Sequence, residues 1–210
     1  MMRFFLQLVV LIFGTLFVLK ASANDTKIMI IGDSLSAGYG LKQAPSWVNL
    51  LQNKYETEQK AITLVNTSVS GQTTDNALLT IDKQLESHQP SHVLIELGAN
   101  DGLRGFPPKL IRKHLRELVE KSQASGAKVA LMQIQIPPNY GKRYSTLFAD
   151  SYPLVAEQTE AYLMDYFMLP VAADRSLMQN DNLHPNAKAQ PVIRDFMYER
   201  IARWLARTAK

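Results

Sequence analysis

The stretch KIMIIGDSLS, residues 27–36, decides the fold of this chain. It begins with a short apolar run, Lys27 to Ile31, that is rich in isoleucine and stops at Gly32. A run of this length and ending is typical of a strand that is buried on both faces of a parallel sheet. Ser34 follows in what we predict to be a tight turn, which would place its hydroxyl at the edge of the sheet.

The alternation of apolar strand and amphipathic helix continues along the chain. Further strands are predicted over residues 61–65, 92–97, 128–132 and 163–169, and helices over 45–55, 73–85, 107–125, 145–160 and 186–206. In the second helix, the side chains expected to point inward are Leu78, Leu79, Ile81 and Leu85. Repeated strand–helix units imply right-handed crossovers, so we predict an α/β fold with a parallel sheet of about five strands, covered on both faces. Ligands of such sheets bind outside the carboxyl ends of the strands.

The composition of the 210 residues limits the classes of protein to consider. With 46% hydrophobic and 20% charged residues, the chain is too apolar to be disordered. It contains no cysteine, which excludes disulfides, thiolate metal sites and cysteine nucleophiles. Its length is that of one domain of ordinary size.

The first 23 residues have the pattern of a secretory signal peptide. A basic start at Arg3 precedes an apolar run over 4–19, and Ala-Ser-Ala at 21–23 fits a cleavage site. An uncleaved membrane anchor is the alternative, although this run is short for a span of about 20 residues. We expect residues 24–210 to form a single domain, exported to the periplasm or secreted. Without the leader, 21 basic and 19 acidic residues remain, which gives no reason to expect a nucleic-acid partner.

The predicted loops hold the residues that a serine hydrolase needs. A serine hydroxyl is a poor nucleophile until a base takes its proton, and the base needs a third group to hold its tautomer. Ser34 is the candidate nucleophile and His184 the candidate base, and Asp181 can fold back within one turn to meet the imidazole. Donors for the tetrahedral oxyanion would be the backbone N–H groups of Ser34 and Gly71 and the side-chain amide of Asn100.

Other polar and aromatic residues near these loops are given structural roles. Ser36 is the rival nucleophile, but we expect it to face the following helix. Asp33 and Asp101 are expected to brace their loops through hydrogen bonds. Three histidines without a partner pattern are interpreted as structural: His88, His92 and His114. Three aromatic residues follow the fourth predicted strand: Tyr140, Tyr144 and Phe148. The sequence allows two roles for them, packing in the interior or lining a pocket for the acyl chain.

Four segments resemble the sequence blocks of the SGNH (GDSL) hydrolase family, and they occur in the family's order: GDSLS at 32–36, SGQT at 70–73, GAND at 98–101 and DNLH at 181–184. Three longer stretches resemble the periplasmic esterases, thioesterases and lysophospholipases of Gram-negative bacteria: ELGANDGLRGF at 96–106, LMQIQIPPNYGKRY at 131–144 and LHPNAKAQP at 183–191. Gln72 departs from this pattern, because an acidic residue is expected after Gly71, and the departure bears on substrate preference.

The resemblance implies a flavodoxin-like, three-layer α/β/α sandwich. It also implies hydrolysis of acyl esters and thioesters, of the arylesterase, thioesterase or lysophospholipase type, through an acyl-enzyme on Ser34. It assigns the catalytic triad to Ser34, Asp181 and His184, and the oxyanion hole to Ser34, Gly71 and Asn100. These assignments agree with the roles inferred from the residues themselves.

Two other functions are considered. A metal-dependent phosphoesterase would need several histidines and carboxylates in short pairs, and only His184 falls near the predicted site. A non-catalytic relative that carries lipid or peptide would be expected to lack one of the five site residues. We therefore expect a monomeric enzyme without cofactor or metal. Its partner would be a small acyl ester, thioester or lysophospholipid, with no stable membrane insertion of the mature chain.

Overall fold

The computed structural model describes residues 26–41 and 45–209, so the predicted signal peptide lies outside the described residues. The described part contains one sheet of five parallel strands: β1 (Thr26–Gly32), β2 (Ile62–Asn66), β3 (His92–Glu96), β4 (Lys128–Met132) and β5 (Tyr162–Met164). Their order across the sheet is β2-β1-β3-β4-β5. This is the flavodoxin-like order, and it confirms the predicted fold class.

Helices connect the strands and cover both faces of the sheet. They are α1 (Ser34–Ala37), α2 (Trp47–Thr57), α3 (Thr74–Leu78), α4 (Ile81–His88), α5 (Ala99–Leu103), α6 (Pro108–Ala124), α7 (Lys142–Ala149), α8 (Ser151–Thr159) and α9 (Ala189–Thr208). α2 packs against α9, whereas α6 packs against α3, α4, α7 and α8. Right-handed crossovers put these two groups on opposite faces, because the chain goes outward from β1 to β2 and then returns past β1 to β3.

That reversal creates a crevice between the carboxyl ends of β1 and β3, which is where ligands bind in open α/β sheets. The strands on either side of the crevice are fully buried over 28–31 and 93–95. Because helices cover both faces, these strands read as continuous apolar runs without alternation. In the described part of the chain, no helix is both long and apolar enough to cross a membrane.

The helix predicted over 73–85 is broken into α3 and α4. The N–H groups of Leu79 and Thr80 bond to carbonyls three residues back, at 3.2 and 3.1 Å, which tightens the chain into a turn. The predicted inward position of Leu79 is wrong, since 83% of the residue is exposed. An apolar residue in a helical pattern faces the core only where the helix continues.

Two other boundaries differ from the prediction. The helix expected over 145–160 is two helices, and Pro153 lies in the first turn of α8, where its missing N–H is tolerated. The strand expected over 163–169 is the three-residue β5, after which the chain turns and buries Phe167. Apolar runs of this length do not distinguish a strand from a buried turn.

Candidate active site

Ser34 is presented by a one-turn helix at the carboxyl end of β1, and the predicted tight turn is wrong in this respect. Asp33 caps α1, because its Oδ1 accepts a hydrogen bond from the N–H of Leu35 at 3.0 Å. This bond confirms the predicted bracing role of Asp33. Ser34 is therefore the first residue of α1, and its N–H has no acceptor within the helix.

Ser34, His184 and Asp181 lie in one series of hydrogen bonds. Ser34 Oγ is 2.8 Å from His184 Nε2, and His184 Nδ1 is 2.7 Å from Asp181 Oδ2. The other carboxylate oxygen of Asp181 accepts from the backbone N–H groups of His184 and Leu183, at 3.0 and 2.9 Å. The loop thus folds back on itself within one turn, as the D-x-x-H spacing predicts, and the imidazole is held from behind by the carboxylate.

The carboxyl group of Asp181 is strongly acidic. Its partial burial opposes ionisation, but the hydrogen bonds from the backbone and ring of His184 and from Leu183 outweigh this effect and lower its pKa to about 2. Asp181 is therefore a carboxylate at neutral pH, and it can only accept from His184 Nδ1. The proton of a neutral imidazole is consequently on Nδ1, which leaves Nε2 free to take a proton from Ser34.

The three residues predicted to supply oxyanion donors line one cavity: Ser34, Gly71 and Asn100. Gly71 has a φ of +79°, in the left-handed region that other residues rarely adopt. Asn100 lies in α5, which follows Gly98, and its side-chain amide reaches back toward α1. The polypeptide thus brings the loops after β1, β2 and β3 to one point at the sheet edge.

The amide of Asn100 is already occupied, which the sequence did not predict. Its Nδ2 donates to Asp33 Oδ2 and to the carbonyl of Gln72, both at 3.1 Å. A carboxamide has two N–H donors, so both are in use. An oxyanion must share or replace one of these acceptors. Gln72, the residue that departs from the family pattern, contributes its backbone carbonyl here.

A buried pair of carboxyl groups lies behind Ser34, and sequence reasoning did not identify it. Asp33 is 1% exposed, and burial is the main cause that raises its pKa to about 6. Glu96, at the end of β3, is fully buried, and burial followed by the charge of Asp33 raises its pKa well above the usual range. The available signal was an acidic residue ending the apolar run HVLIE.

Glu96 also determines where Ser36 points. The hydroxyl of Ser36 donates to Glu96 Oε2 at 2.7 Å, and Ser36 is fully buried. The expectation that Ser36 faces the following helix is therefore wrong, because its side chain turns toward β3. A fully buried hydroxyl cannot reach a substrate, so Ser36 is not a rival nucleophile.

The cavity over Ser34 has a volume of about 180 Å³ and a largely apolar lining. Its apolar side chains come from several elements: Leu35, Ala99, Leu103, Ile136, Pro137 and Leu183. The three aromatic residues whose role was left open do not line it. Phe148 is fully buried, and the hydroxyls of Tyr140 and Tyr144 donate to the carbonyls of Leu103 and Phe106 at 3.0 and 2.7 Å. They pack beneath the segment that carries Asn100.

Asp101, His92 and His114 have structural contacts, as predicted. Asp101 accepts a hydrogen bond from the N–H of Thr74, which ties α5 to α3. His114 Nδ1 is 3.1 Å from the hydroxyl of the same threonine, and His92 lies edge-on to the ring of Trp204. Within residues 26–41 and 45–209, no three His, Asp or Glu side chains are grouped as the ligands of a metal ion would be.

Comparison with known proteins gives consistent results. Residues 30–190 match the model of the GDSL-like Lipase/Acylhydrolase family. An arylesterase of Vibrio mimicus is 45% identical over 185 residues, which cover 88% of this chain and 92% of the relative. The thioesterase 1/protease 1/lysophospholipase L1 of Escherichia coli (strain K12) is 41% identical over 190 residues, covering 90% and 89% respectively.

Solved structures agree with the sequence relatives. The psychrotrophic esterase EstA from Pseudoalteromonas sp., in a form inhibited by monoethylphosphonate, has a TM-score of 0.85 and 57% identity. The match covers 87% of this chain and the whole of that one. The structure of TesA has a TM-score of 0.79 and 38% identity, covering 83% of this chain and 97% of that one.

Proposed function

Because the chain belongs to the GDSL-like lipase/acylhydrolase family, we propose that Ser34 is its nucleophile, His184 its general base and Asp181 the residue that orients the base. The family and the named relatives identify the chain as a serine ester hydrolase. The observation that supports the residue assignment is the series of short bonds from Ser34 Oγ through the imidazole to Asp181, at 2.8 and 2.7 Å.

In the first half of the reaction, Ser34 Oγ attacks the acyl carbonyl while His184 Nε2 takes the hydroxyl proton. The tetrahedral oxyanion accepts hydrogen bonds from the N–H groups of Ser34 and Gly71 and from the Asn100 amide. Asp181 stabilises the imidazolium that forms. The intermediate then collapses, and the imidazolium protonates the departing alcohol or thiol. The acyl group remains on Ser34.

In the second half, water takes the place of the leaving group. His184 removes a proton from the water as it attacks the acyl carbonyl, and a second tetrahedral intermediate forms at the same oxyanion donors. Collapse breaks the bond to Ser34 Oγ, which recovers its proton from the imidazolium. The products are a carboxylic acid and the original enzyme.

The substrates we propose are acyl esters, acyl thioesters and lysophospholipids. The relatives bear the names arylesterase and thioesterase 1/protease 1/lysophospholipase L1. The cavity over Ser34 suits a hydrocarbon acyl chain, because most of its lining surface is apolar. We further propose that the protein acts as a monomer, without nucleic-acid partner.

We also propose that the protein is exported and that residues 1–23 are removed. The support is the basic, apolar and small-residue pattern of that segment. Expression in a Gram-negative host followed by osmotic shock should release a protein whose first residue, determined by N-terminal sequencing, is Asn24. Recovery of the uncut chain in the membrane fraction would instead support the anchor.

Labelling with a fluorophosphonate tests the nucleophile. One label should add to the intact mass, on Ser34, and Ser34→Ala should abolish labelling and lower kcat by roughly 10³-fold or more. Ser36→Ala is the matched control, and it should still be labelled, although loss of its bond to Glu96 should cost about 1–3 kcal/mol of stability. A label on Ser36, or labelling of Ser34→Ala, would show that the assignment is wrong.

The same preparation distinguishes the metal-dependent alternative. Every step above uses side chains and backbone groups of the chain, so added EDTA should leave the rate on an aryl ester unchanged. A loss of activity that a divalent cation restores would favour the phosphoesterase. Labelling without turnover of any short acyl ester would favour the non-catalytic relative.

A further inference from the structure

Gln179 lies at the base of the loop that carries His184. Its own N–H donates to the carbonyl of His184 at 2.8 Å, and its carbonyl accepts from the N–H of Asn182 at 3.0 Å. Met178 and Pro185 form an antiparallel bridge across the same base. Both peptide groups of Gln179 are therefore used to close the loop on itself.

The side chain of Gln179 extends this closure to a second segment. Its Nε2 donates to the carbonyl of Tyr39 at 2.8 Å and to the carbonyl of Pro185 at 3.1 Å. Both hydrogens of the amide are thus engaged. One bond stays within the His184 loop, and the other crosses to a segment 140 residues earlier in the chain.

Gly40 has no side chain, and the carboxamide of Gln179 occupies the space beside it as it bonds to the Tyr39 carbonyl. A Cβ at Gly40 would lie 2.3 Å from Gln179 Oε1, and φ at Gly40 is +74°. A side chain at this position would displace the carboxamide as well as strain the backbone. Glycine at position 40 therefore allows the close approach of the two segments without moving the amide of Gln179.

Tyr39 connects this contact to the nucleophile. Its N–H donates to the carbonyl of Ser34 at 3.1 Å, so the Tyr39 peptide is fixed to α1. Its ring also lies over the imidazole of His184, with the centroids 4.6 Å apart. The nucleophile, Tyr39, Gln179 and the base consequently form a closed circuit of contacts.

We propose that Gln179 is a positioning residue that keeps His184 in place in the acyl-enzyme, in which Ser34 carries the acyl group. This proposal rests on the function proposed above. In the free enzyme, the Ser34–His184 hydrogen bond itself joins the two loops. Acylation of Ser34 Oγ removes the hydrogen of that bond, just when the imidazole must face a water molecule. The bond from Gln179 to the Tyr39 carbonyl does not depend on the state of Ser34, so it can hold the loop through deacylation.

Pre-steady-state kinetics of Gln179→Met on an aryl ester test the proposal. Methionine keeps the length of the side chain but has no donor for the Tyr39 carbonyl. We expect deacylation to slow about 10- to 100-fold, since a misplacement of about 1 Å can cost 10²-fold, and acylation to slow less. The acyl-enzyme should then accumulate, which gives a burst of phenol and lowers kcat and KM together.

Gln123→Met is the matched control, because Gln123 Nε2 also donates to a loop carbonyl, that of Thr159 at 2.7 Å, near the amino ends of β4 and β5. It should change neither step by more than twofold. Gln179→Glu, which has the same shape without the amide donors, serves as the second variant and should reproduce the burst.

Equal slowing of both steps in the Gln179 variants would overturn the proposal, because it would indicate general loosening of the site. Deacylation within twofold of that in Gln123→Met would also overturn it. Failure of the proposed function gives a different result, since the wild-type protein would then form no acyl-enzyme and take no fluorophosphonate label.

Discussion

Replacing Asp181 with asparagine separates its electrostatic role from its shape. In the wild-type protein, Oδ1 accepts two backbone N–H groups at 2.9 and 3.0 Å, and Oδ2 accepts His184 Nδ1 at 2.7 Å. The asparagine amide has only one oxygen. If that oxygen keeps the two backbone bonds, the NH₂ group faces Nδ1 and donates to it. The imidazole proton then moves to Nε2 and points at Ser34. Nε2 can no longer accept the hydroxyl proton.

The size of the effect follows from the alternative orientation of the amide. Active enzyme requires the amide oxygen to face Nδ1, which puts NH₂ against two backbone N–H groups. Both N–H groups lie in an exposed loop, so each lost hydrogen bond costs about 0.5–1.5 kcal/mol, and the active orientation lies roughly 1–3 kcal/mol higher. At 1.36 kcal/mol per tenfold change in rate, kcat should fall by about 5- to 150-fold. A complete loss of the correct tautomer would cost up to roughly 10⁴-fold, so the expected fall corresponds to a tautomer that is disfavoured but still accessible.

The assay is kcat on a short aryl ester, measured for Asp181→Asn, Asp181→Ala and a control. Asp174→Asn is the control, because Asp174 Oδ1 likewise accepts the N–H of the residue two positions on, Ser176, at 2.8 Å, but contacts no histidine. Its activity should stay within twofold of wild type. Alanine leaves the imidazole free to hold either tautomer, so Asp181→Ala should be at least as active as Asp181→Asn.

Two results would refute this reasoning. Asp181→Asn with more than half of the wild-type kcat would show that the tautomer is not controlled by this carboxylate. Asp181→Ala several-fold slower than Asp181→Asn would show that Asp181 acts through shape and hydrogen bonding alone. The measurements should be made at neutral pH, far above the pKa of about 2 at which Asp181 itself would be protonated.

Three further outcomes can be measured with ordinary methods. Asn100→Ala should lower kcat by about 10²–10³-fold with little change in KM, because its amide stabilises charge that appears only in the transition state; a raised KM with normal kcat would make it a binding residue. Urea unfolding of the wild type should show that stability falls as the pH rises from 3.8 to about 6, since the folded state keeps the proton of Asp33 longer than the unfolded chain. The loss of unfolding free energy should be about 3 kcal/mol from Asp33 alone. Glu96→Gln should reduce the total loss, because the raised pKa of Glu96 lowers stability over rising pH in the same way. Parallel curves of unfolding free energy against pH for the two proteins would contradict this. Gly32→Ala should lose about 1–3 kcal/mol by overcrowding, as its Cβ would lie 2.5 Å from Glu96 Oε2.

The fold was predictable from the sequence because its signals are local. A strand buried on both faces needs a continuous apolar run, and the run from Lys27 to Ile31 marks β1 with no information from elsewhere in the chain. The helix breaks at Leu79 and Asp150 were missed because the apolar pattern continues through both of them. The first break depends on turn bonds from Leu79 and Thr80, and the second lies three residues before Pro153, which has no N–H to donate to a continuing helix.

The grouping of the proposed catalytic residues was also predictable, since each was expected at the carboxyl end of a strand or in a loop packed against that edge. The D-x-x-H spacing places the two side chains one turn of chain apart, which is close enough for the hydrogen bond between Asp181 and His184. What sequence could not predict were contacts that join distant segments. The occupied amide of Asn100 and the Gln179–Tyr39 bond each link residues far apart in the chain.

The placement of Glu96 shows how such contacts hold the backbone around Ser34. Glu96 pairs with Gly32 across β3 and β1, and Gly32 has no side chain, so the carboxyl group of Glu96 occupies the space above it. From there Glu96 Oε2 accepts hydrogen bonds from the N–H of Asp33 at 3.3 Å and from the hydroxyl of Ser36 at 2.7 Å. Asp33 precedes Ser34 in the chain, and Ser36 lies two residues after it. Both donors are buried and would otherwise lack this acceptor. Gly32 and Glu96 therefore act together, and they fix the backbone around Ser34 through bonds to Asp33 and Ser36.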